Sequence, residues 1–560
     1  MNKHFQKRYT IVAALPYSNG NLHVGHIAGA YLPCDIFARY LRLNGANVCT
    51  ISGSDDYGVA ITMTAEKEGR TPQETADHYN ANQKRDFENL GINFDVYGST
   101  SRNKFHAKTS QDIFLSLYNK GHFDKIETNQ FYDTQRNQFL ADRYVKGKCG
   151  YCGAEDQNGD QCENCGKQLD IESLKNPVST LSNSPAILKK TTHWFLDLSK
   201  SQNVVEKWLE TAEMKENTRK FVRGLLSTGL VKRSMTRDIS WGIPVPLDDP
   251  EAKNKVLYVW FDAPIGYISN TKQLCEAKFG DAEKYTDWWK DKDCKIYHFI
   301  GEDNTIFHAI IWIAMLHTEG SFQLPAGVVV NNFLNIKFPD REVEKISKSR
   351  GSAIWIDNFI QHGGDPDGLR YYLTMIAPEQ ARTVYNPMDF VVRYNSELGN
   401  ILGNLVSRVI SMVNKNFSGA IVGINPNNVD EVTKKIYDLL AETKLSTANS
   451  IESFGFRGAL EIIMTLCREC NKYLEEKAPW KLIKTDRESA QFVLSVVVNL
   501  IKDIAILLEP FLPFTSRKIC KILNVDMQIL QWDNIGNPLP EMQIGESEIL
   551  FPKIETGEEE

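Results

Sequence analysis

The opening of the chain constrains its fold most. An apolar run from Tyr9 (YTIVAALP) meets a Gly/Asn turn (YSNGN), then a helix-like run from His23 to Leu43, then a second apolar run, NVCTISGSDD. Strand, turn, helix and strand in that order open a doubly wound sheet, because the helix is the crossover that brings two strands together in parallel. Two later strand-like segments, VLYVWFD and KIYHFIG, each end in polar or small residues. A parallel sheet presents its ligand edge at such ends. The expected fold is α/β, a doubly wound, Rossmann-like parallel sheet carrying an insertion and followed by a C-terminal α-helical bundle.

At 560 residues and 42% apolar content, the chain exceeds what one core needs, so several domains are expected. Residues 1–118 read as the first half of the sheet domain and 119–234 as an irregular insertion whose helical periodicity resumes around Val204 to Leu226. Residues 235–325 hold the second half, 326–385 a charged loop region, 386–538 the helix bundle and 539–560 a tail. Leu460, Ile463, Cys467, Cys470 and Leu474 alternate spacings of three and four, which marks one apolar helix face. Cys467 and Cys470 have no second cysteine pair and fall on that stripe, so core packing is their expected role. The end after Pro552 reads as too polar to pack.

Several classes are set aside on composition. Apolar runs such as Ser495 to Leu508 read as too short and too often broken, by Asn499, Lys502 and Asp503, to span a bilayer. Met1 to Thr10 is polar and carries no signal-peptide pattern. The eleven cysteines are an odd number and four of them cluster, unlike a secreted disulfide framework. A cytoplasmic protein without a membrane segment is expected. A net charge of −7 means that any polyanion must be met by a local basic face.

Three clusters carry chemistry. His23-Val24-Gly25-His26 stands where a helix begins after a strand, a place that favours anions. Two imidazoles there can donate to phosphoryl oxygens, and the glycine lets a flat base lie on the backbone. Alone, the four letters describe two surface histidines equally well. Lys345-Ile346-Ser347-Lys348-Ser349, between Arg341 and Gly351, offers two cations to charge developing on a triphosphate, or is simply a solvated charge run. Cys149-Gly-Tyr-Cys152 and Cys162-Glu-Asn-Cys165 form two CxxC pairs, with Gly150, Gly153 and Gly166 for tight turns. Four thiolates at that spacing suit one tetrahedral Zn2+ with no open position, hence a structural one.

HxGH near the start and KxSKS a few hundred residues on, in the two halves of one sheet, resemble the signatures of class I aminoacyl-tRNA synthetases. The flanking words Ala14-Leu15-Pro16-Tyr17-Ser18-Asn19-Gly20, Tyr258 to Tyr267 (YVWFDAPIGY) and Tyr297 to Asp303 (YHFIGED) resemble the methionyl family, from Tyr9 to about Leu523. The resemblance implies activation of L-methionine with Mg2+-bound ATP and transfer to tRNA. His23, His26, Lys345 and Lys348 would be catalytic, and Tyr17, Asn19, His23, Gly25, His26 and Lys348 would bind ATP. Leu15, Tyr17, Trp260, Ala263, Pro264, Tyr267, Phe307 and His308 would line the methionine side-chain pocket, and Asp55 would hold the amino group. Such a pocket needs a polarizable apolar lining and a carboxylate, which these residues supply. Arg237 would help hold a carboxylate or phosphate, and the cysteine cluster is similar to the family's single knuckle.

In the bundle, Asn400, Asn404 and Arg408 recur every four residues and so share one helix face, and Ala478-Pro479-Trp480 brings an aromatic near Lys481 and Lys484. Amides, arginine and aromatic rings read unpaired RNA bases. By resemblance, Asn400, Asn404, Arg408 and Trp480 would read the CAU anticodon of tRNA(Met). Competing readings are a relative specific for leucine, isoleucine, valine or cysteine, and a catalytically dead zinc-knuckle RNA-binding protein. A monomer is expected, since no appended dimer-forming module is recognisable.

Overall fold

The computed structural model describes residues 8–140, 144–159, 162, 164–165, 169, 171–339, 341–346, 351–426 and 428–555. Lys348, with Ser347 and Ser349, lies outside the described residues, as does Gly166. At the centre is a five-stranded sheet of β1 (Arg8–Ala13), β2 (Asn47–Ser54), β3 (Val96–Ser99), β4 (Cys294–Gly301) and β5 (Gly327–Asn331). The order is β5-β4-β1-β2-β3, and every neighbouring pair is parallel. The chain leaves β1 toward β2 on one side and returns at β4 on the other, so the order reverses between β1 and β4. A crevice opens there at the carboxyl ends of the strands, where doubly wound sheets bind ligands.

The insertion is built on two long antiparallel strands, Phe123–Asp133 and Ile187–Leu196, registered from Phe123 opposite Leu196 to Tyr132 opposite Ile187. A small sheet of Val145–Cys149, Gln157–Asn158 and Leu174–Ser179 carries the cysteine cluster. The chain returns to the core through helices Gln202–Thr211 and Glu216–Ser227, near the periodicity expected from sequence.

The bundle comprises Asn404–Phe417, Glu431–Glu452, Phe456–Lys477, Pro479–Thr485, Arg487–Leu508 and Pro513–Ile522. Cys467 and Cys470 are fully buried in it. Contrary to the sequence expectation, Arg487–Leu508 is long and apolar enough to cross a membrane, but 89% of that stretch is buried inside the protein. The polar residues that interrupt it are structural clasps. Lys502 Nζ donates to Asn534 O and Asn537 O at 2.9 and 2.6 Å, Asp503 accepts from Gly536 N, and Asn499 accepts from Leu539 N.

Those clasps begin a second correction. The segment from 539, read as a tail, packs along the bundle: Leu539, Ile544, Leu550 and Phe551 are buried, and Met542–Gln543 pairs with Ala420–Ile421. Ile554, beyond Pro552, exchanges two backbone hydrogen bonds with the Asn395 side chain at 2.9 and 3.0 Å. Single apolar residues spaced through polar sequence show no period, yet Leu539, Ile544, Leu550 and Phe551 all pack inward.

Bundle and sheet domain meet at buried arginines. Arg370 is fully buried, donates to Phe511 O, Pro510 O and Leu90 O, and pairs with Asp35 at 2.8 Å. Arg39 joins Asp35 to Glu509. With all three nitrogens of each guanidinium engaged, this joint fixes the bundle on the helix that follows HxGH.

Candidate active site and metal centre

After β1 the chain turns through Ala14 to Leu22 and begins a helix at Val24. His23 caps it: its Nδ1 accepts the Gly25 N–H at 3.1 Å, while His26 Nδ1 accepts the His23 N–H at 3.2 Å. The rings stack 3.6 Å apart. An Nδ1 that accepts places the neutral ring's proton on Nε2, so both imidazoles carry a donor there. Residues Ile27–Tyr31 form a π turn. Asn331, at the end of β5, donates to Ala28 O within it at 2.8 Å. The other signature closes on the same point. Val24 N donates to Ile354 O, His23 packs its ring edge-on to Trp355, and a Cβ on Gly25 would stand 3.0 Å from Ile346 Cδ1. Asn19 is half-buried in the turn, and Lys345 lies over the Phe333 ring at 4.7 Å.

Most of the expected amino-acid pocket converges beside it. Trp260 stacks on Phe307 with ring centroids 4.3 Å apart, and Tyr17 meets Trp260 edge-on at 6.1 Å. Ala263 and Pro264 start helix Ile265–Phe279, which carries Tyr267 inward. Leu15 reaches the same helix, its Cδ2 lying 2.9 Å from where a Cβ on Gly266 would stand, so that position admits only glycine without a shift. Tyr267 donates its hydroxyl to His308 Nε2 at 2.8 Å, and His308 Nδ1 donates to Asn304 O at 3.1 Å. Burial pulls the His308 pKa down to about 4, so the ring is neutral. Phe307 and His308 begin a second π turn, Phe307–Ile311.

Asp55 follows β2. Its backbone is tied on both sides, Asp55 N to Pro16 O and Ser18 N to Asp55 O, while its buried Oδ1 has no hydrogen-bond partner. Burial first, then the neighbouring Asp262 and Asp56 carboxylates, push its pKa up. A buried carboxylate oxygen left without a partner calls for a cation. Arg237 is committed elsewhere: it donates to Ser234 O and Thr236 O and lies 3.7 Å from the Tyr258 ring.

Sequence reasoning missed a layer behind Asp55. His106 joins Asp262 at 3.1 Å to Ser269 at 3.0 Å, all three fully buried. Asp56 accepts from Ser54, Ser99 and Ser101, and its carbonyl takes the Trp241 indole N–H at 2.6 Å. Asp262 sits inside the word YVWFDAPIGY and was the available signal. His106 had none, being 156 residues from its partner.

In the insertion, the four cysteine sulfurs lie within 4.8 Å of one another, with Cys149 to Cys165 at 3.9 Å and Cys152 to Cys162 at 3.6 Å. A tetrahedron of Zn–S bonds of about 2.3 Å sets sulfurs about 3.8 Å apart, so the spacing fits. The Asn164 side chain and the Ala154 N–H hold the Cys152 thiol down, to about 6, which favours the thiolate a metal takes.

In the bundle, Asn404 and Arg408 lie one turn apart on helix Asn404–Phe417, and Asn400 stands in the segment before it. Tyr394–Gly403 is a third π segment, running into Asn404–Phe417. Asn400 and Asn404 line one groove, whereas Arg408 turns to Trp480, 4.4 Å from its ring, and to Glu475 at 2.6 Å.

Residues 9–410 match the family model described as tRNA synthetases class I (M), and residues 426–560 match that of the anticodon binding domain of methionyl tRNA ligase. Sheet, paired signatures and helical bundle together define a class I aminoacyl-tRNA synthetase. The chain is 43% identical over 562 residues to Methionine--tRNA ligase of Parabacteroides distasonis, covering 99% of this chain and 80% of the relative. It is 43% identical over 557 residues to that of Flavobacterium psychrophilum, covering 98% and 79%. The chain belongs to the methionine–tRNA ligase family. Its fold matches that of Mycobacterium tuberculosis methionyl-tRNA synthetase in complex with methionyl-adenylate at a TM-score of 0.79 and 24% identity, covering 98% of this chain and 100% of that one.

Proposed function

We propose that the chain performs its family's reaction in two steps. The methionine ammonium sits against Asp55, and its side chain lies among Leu15, Tyr17, Trp260, Ala263, Pro264, Tyr267, Phe307 and His308. Its carboxylate oxygen attacks the α-phosphorus of ATP, which enters with Mg2+. Pyrophosphate leaves. His23 and His26 donate Nε2–H to the phosphate oxygens while Lys345 and Lys348 offset the growing charge. A terminal hydroxyl of tRNA then attacks the adenylate carbonyl and AMP departs. No side chain is a nucleophile, and rate comes from positioning and fixed charge.

The observation that carries this reading is the unpartnered Asp55 Oδ1, buried beside an aromatic pocket at the switch point of the sheet. Cys149, Cys152, Cys162 and Cys165 would hold a structural Zn2+ that braces the insertion. Asn400, Asn404, Arg408 and Trp480 would read a CAU anticodon. Action as a cytoplasmic monomer belongs to the same reading, and eleven cysteines free of disulfides fit a reducing compartment. Pyrophosphate exchange across the twenty amino acids tests the assignment. Exchange should depend on methionine, and equal exchange with leucine, valine or cysteine would overturn it.

A further inference from the structure

The groove beside Asn400 has a second wall that no signature marks. It encloses about 470 Å³, within the range of sites that hold a small molecule, and is lined by Asn400, Asn404 and Ser407 on one side and by Ile549, Leu550 and Phe551 on the other. The second wall is a strap fixed at both flanks of Ile549. Upstream, Ile544 is buried and Gly545 N donates to Ile522 O at 2.8 Å. Downstream, Leu550 and Phe551 are buried, Phe551 meets the Tyr394 ring edge-on at 5.9 Å, and Ile554 is clasped by Asn395.

Between these anchors Ile549 is 74% exposed. Its branched apolar side chain lines the groove from the strap while most of its surface meets water. Opposite it stand two exposed amides, each able to donate and accept. Among the described residues no lysine or arginine lines the groove, and Glu546 lies just upstream on the strap beside a Glu548 already paired with Lys521, so phosphate is not the group it suits. A flat ring with a hydrogen-bonding edge and an apolar face is what amides on one side and isoleucine on the other accept.

We propose that Ile549 is a specificity-determining residue for tRNA, the strap forming the wall on which one unpaired anticodon base rests its face while Asn400 and Asn404 meet its edge. This rests on the anticodon reading given above. Ile549→Asp and Ile549→Ala, both at an exposed position, are compared with Asn400→Ala in aminoacylation of a CAU tRNA and of three tRNAs each altered at one anticodon position. Adenylation without tRNA reports that the fold is intact. Ile549→Asp should raise the tRNA KM about tenfold and Ile549→Ala about threefold, with discrimination relaxed at one anticodon position. Wild-type efficiency in Ile549→Asp, or an equal loss for all four tRNAs, overturns the proposal. Loss in Asn400→Ala alone would leave the anticodon reading standing, whereas neutrality in both variants would remove that reading too.

Discussion

Ile346 sets its Cδ1 3.0 Å from the position that a Cβ on Gly25 would take, and the His23 ring is equally near. The two signatures therefore meet at a glycine, and a methyl group there must displace either the His23 imidazole or the residue next to Lys345. Gly25→Ala should slow single-turnover adenylation about tenfold or more, since displacements well under 1 Å already misalign in-line attack. Lys348→Ala should cost about 10²–10³ in the same rate while leaving methionine binding nearly unchanged. An unaltered rate in Gly25→Ala would show that the contact yields without consequence.

The Tyr267–His308 bond makes a second prediction, with a pH sign. Tyr267→Phe leaves a buried Nε2 with no donor, at about 1–3 kcal/mol, and should raise the methionine KM in exchange about tenfold. The His308 pKa falls from 6.5 to about 4 on folding, so the unfolded chain binds the extra proton between those values. The neutral ring's stabilisation is complete above about 6.5, drains as pH falls, and is gone below about 4. Wild type should therefore lose more urea stability than His308→Gln between pH 7 and pH 4.5. Equal losses would place that titration on other groups.

Local rules carried much of this architecture into the sequence. β1 and β2 are apolar runs bounded by turn residues, the HxGH helix starts where a Gly/Asn turn ends, and two CxxC pairs announce the four-cysteine cluster. What stayed hidden depends on contacts distant in the chain. Among the described residues, π turns occur at Ile27–Tyr31, Phe307–Ile311 and Tyr394–Gly403, each bearing or adjoining an expected site. Such turns are common at functional positions. No residue type signals them, because what accompanies the first, Asn331 reaching Ala28 O, is 303 residues away. The third ends at Gly403 and so changes the register between Asn400 and Asn404, whereas Asn404 and Arg408 keep the α-helical spacing of four. Asn499, Lys502 and Asp503 are legible as interruptions of an apolar run but not as the clasps they are, because the backbone they hold arrives 32 to 40 residues later.

Metal content is checked directly. One zinc per chain is expected on elemental analysis of protein purified without chelator. Cys162→Ser should abolish it and lower the melting temperature, because the fully buried Cys162 closes the tetrahedron. Cys467→Ser should leave it unchanged. Zinc-free wild-type protein, or zinc lost from Cys467→Ser, would sink the assignment to the knuckle.

The last prediction concerns Trp480, whose place in the chain is costly to build. Ala478, just before Pro479, holds φ at +43°, a left-handed conformation unfavourable for any residue with a side chain, and Pro479 then starts the short helix Pro479–Thr485. This turn sets Trp480 half-buried beneath the Arg408 guanidinium, 4.4 Å from the ring, while Glu475 holds Arg408 from the other side at 2.6 Å. Cation, ring and carboxylate thus form one fixed cluster on the bundle. A base stacked on such a ring contributes about 1–3 kcal/mol, which corresponds to roughly 5- to 150-fold in tRNA affinity. Trp480→Ala should raise the aminoacylation KM for a CAU tRNA within that range, and Trp480→Phe, which keeps a ring, should recover part of it. Pyrophosphate exchange needs no tRNA and separates the two explanations of any defect. If Trp480→Ala loses exchange in proportion to aminoacylation, the ring is a packing element, and if it charges the tRNA normally, the anticodon is read elsewhere.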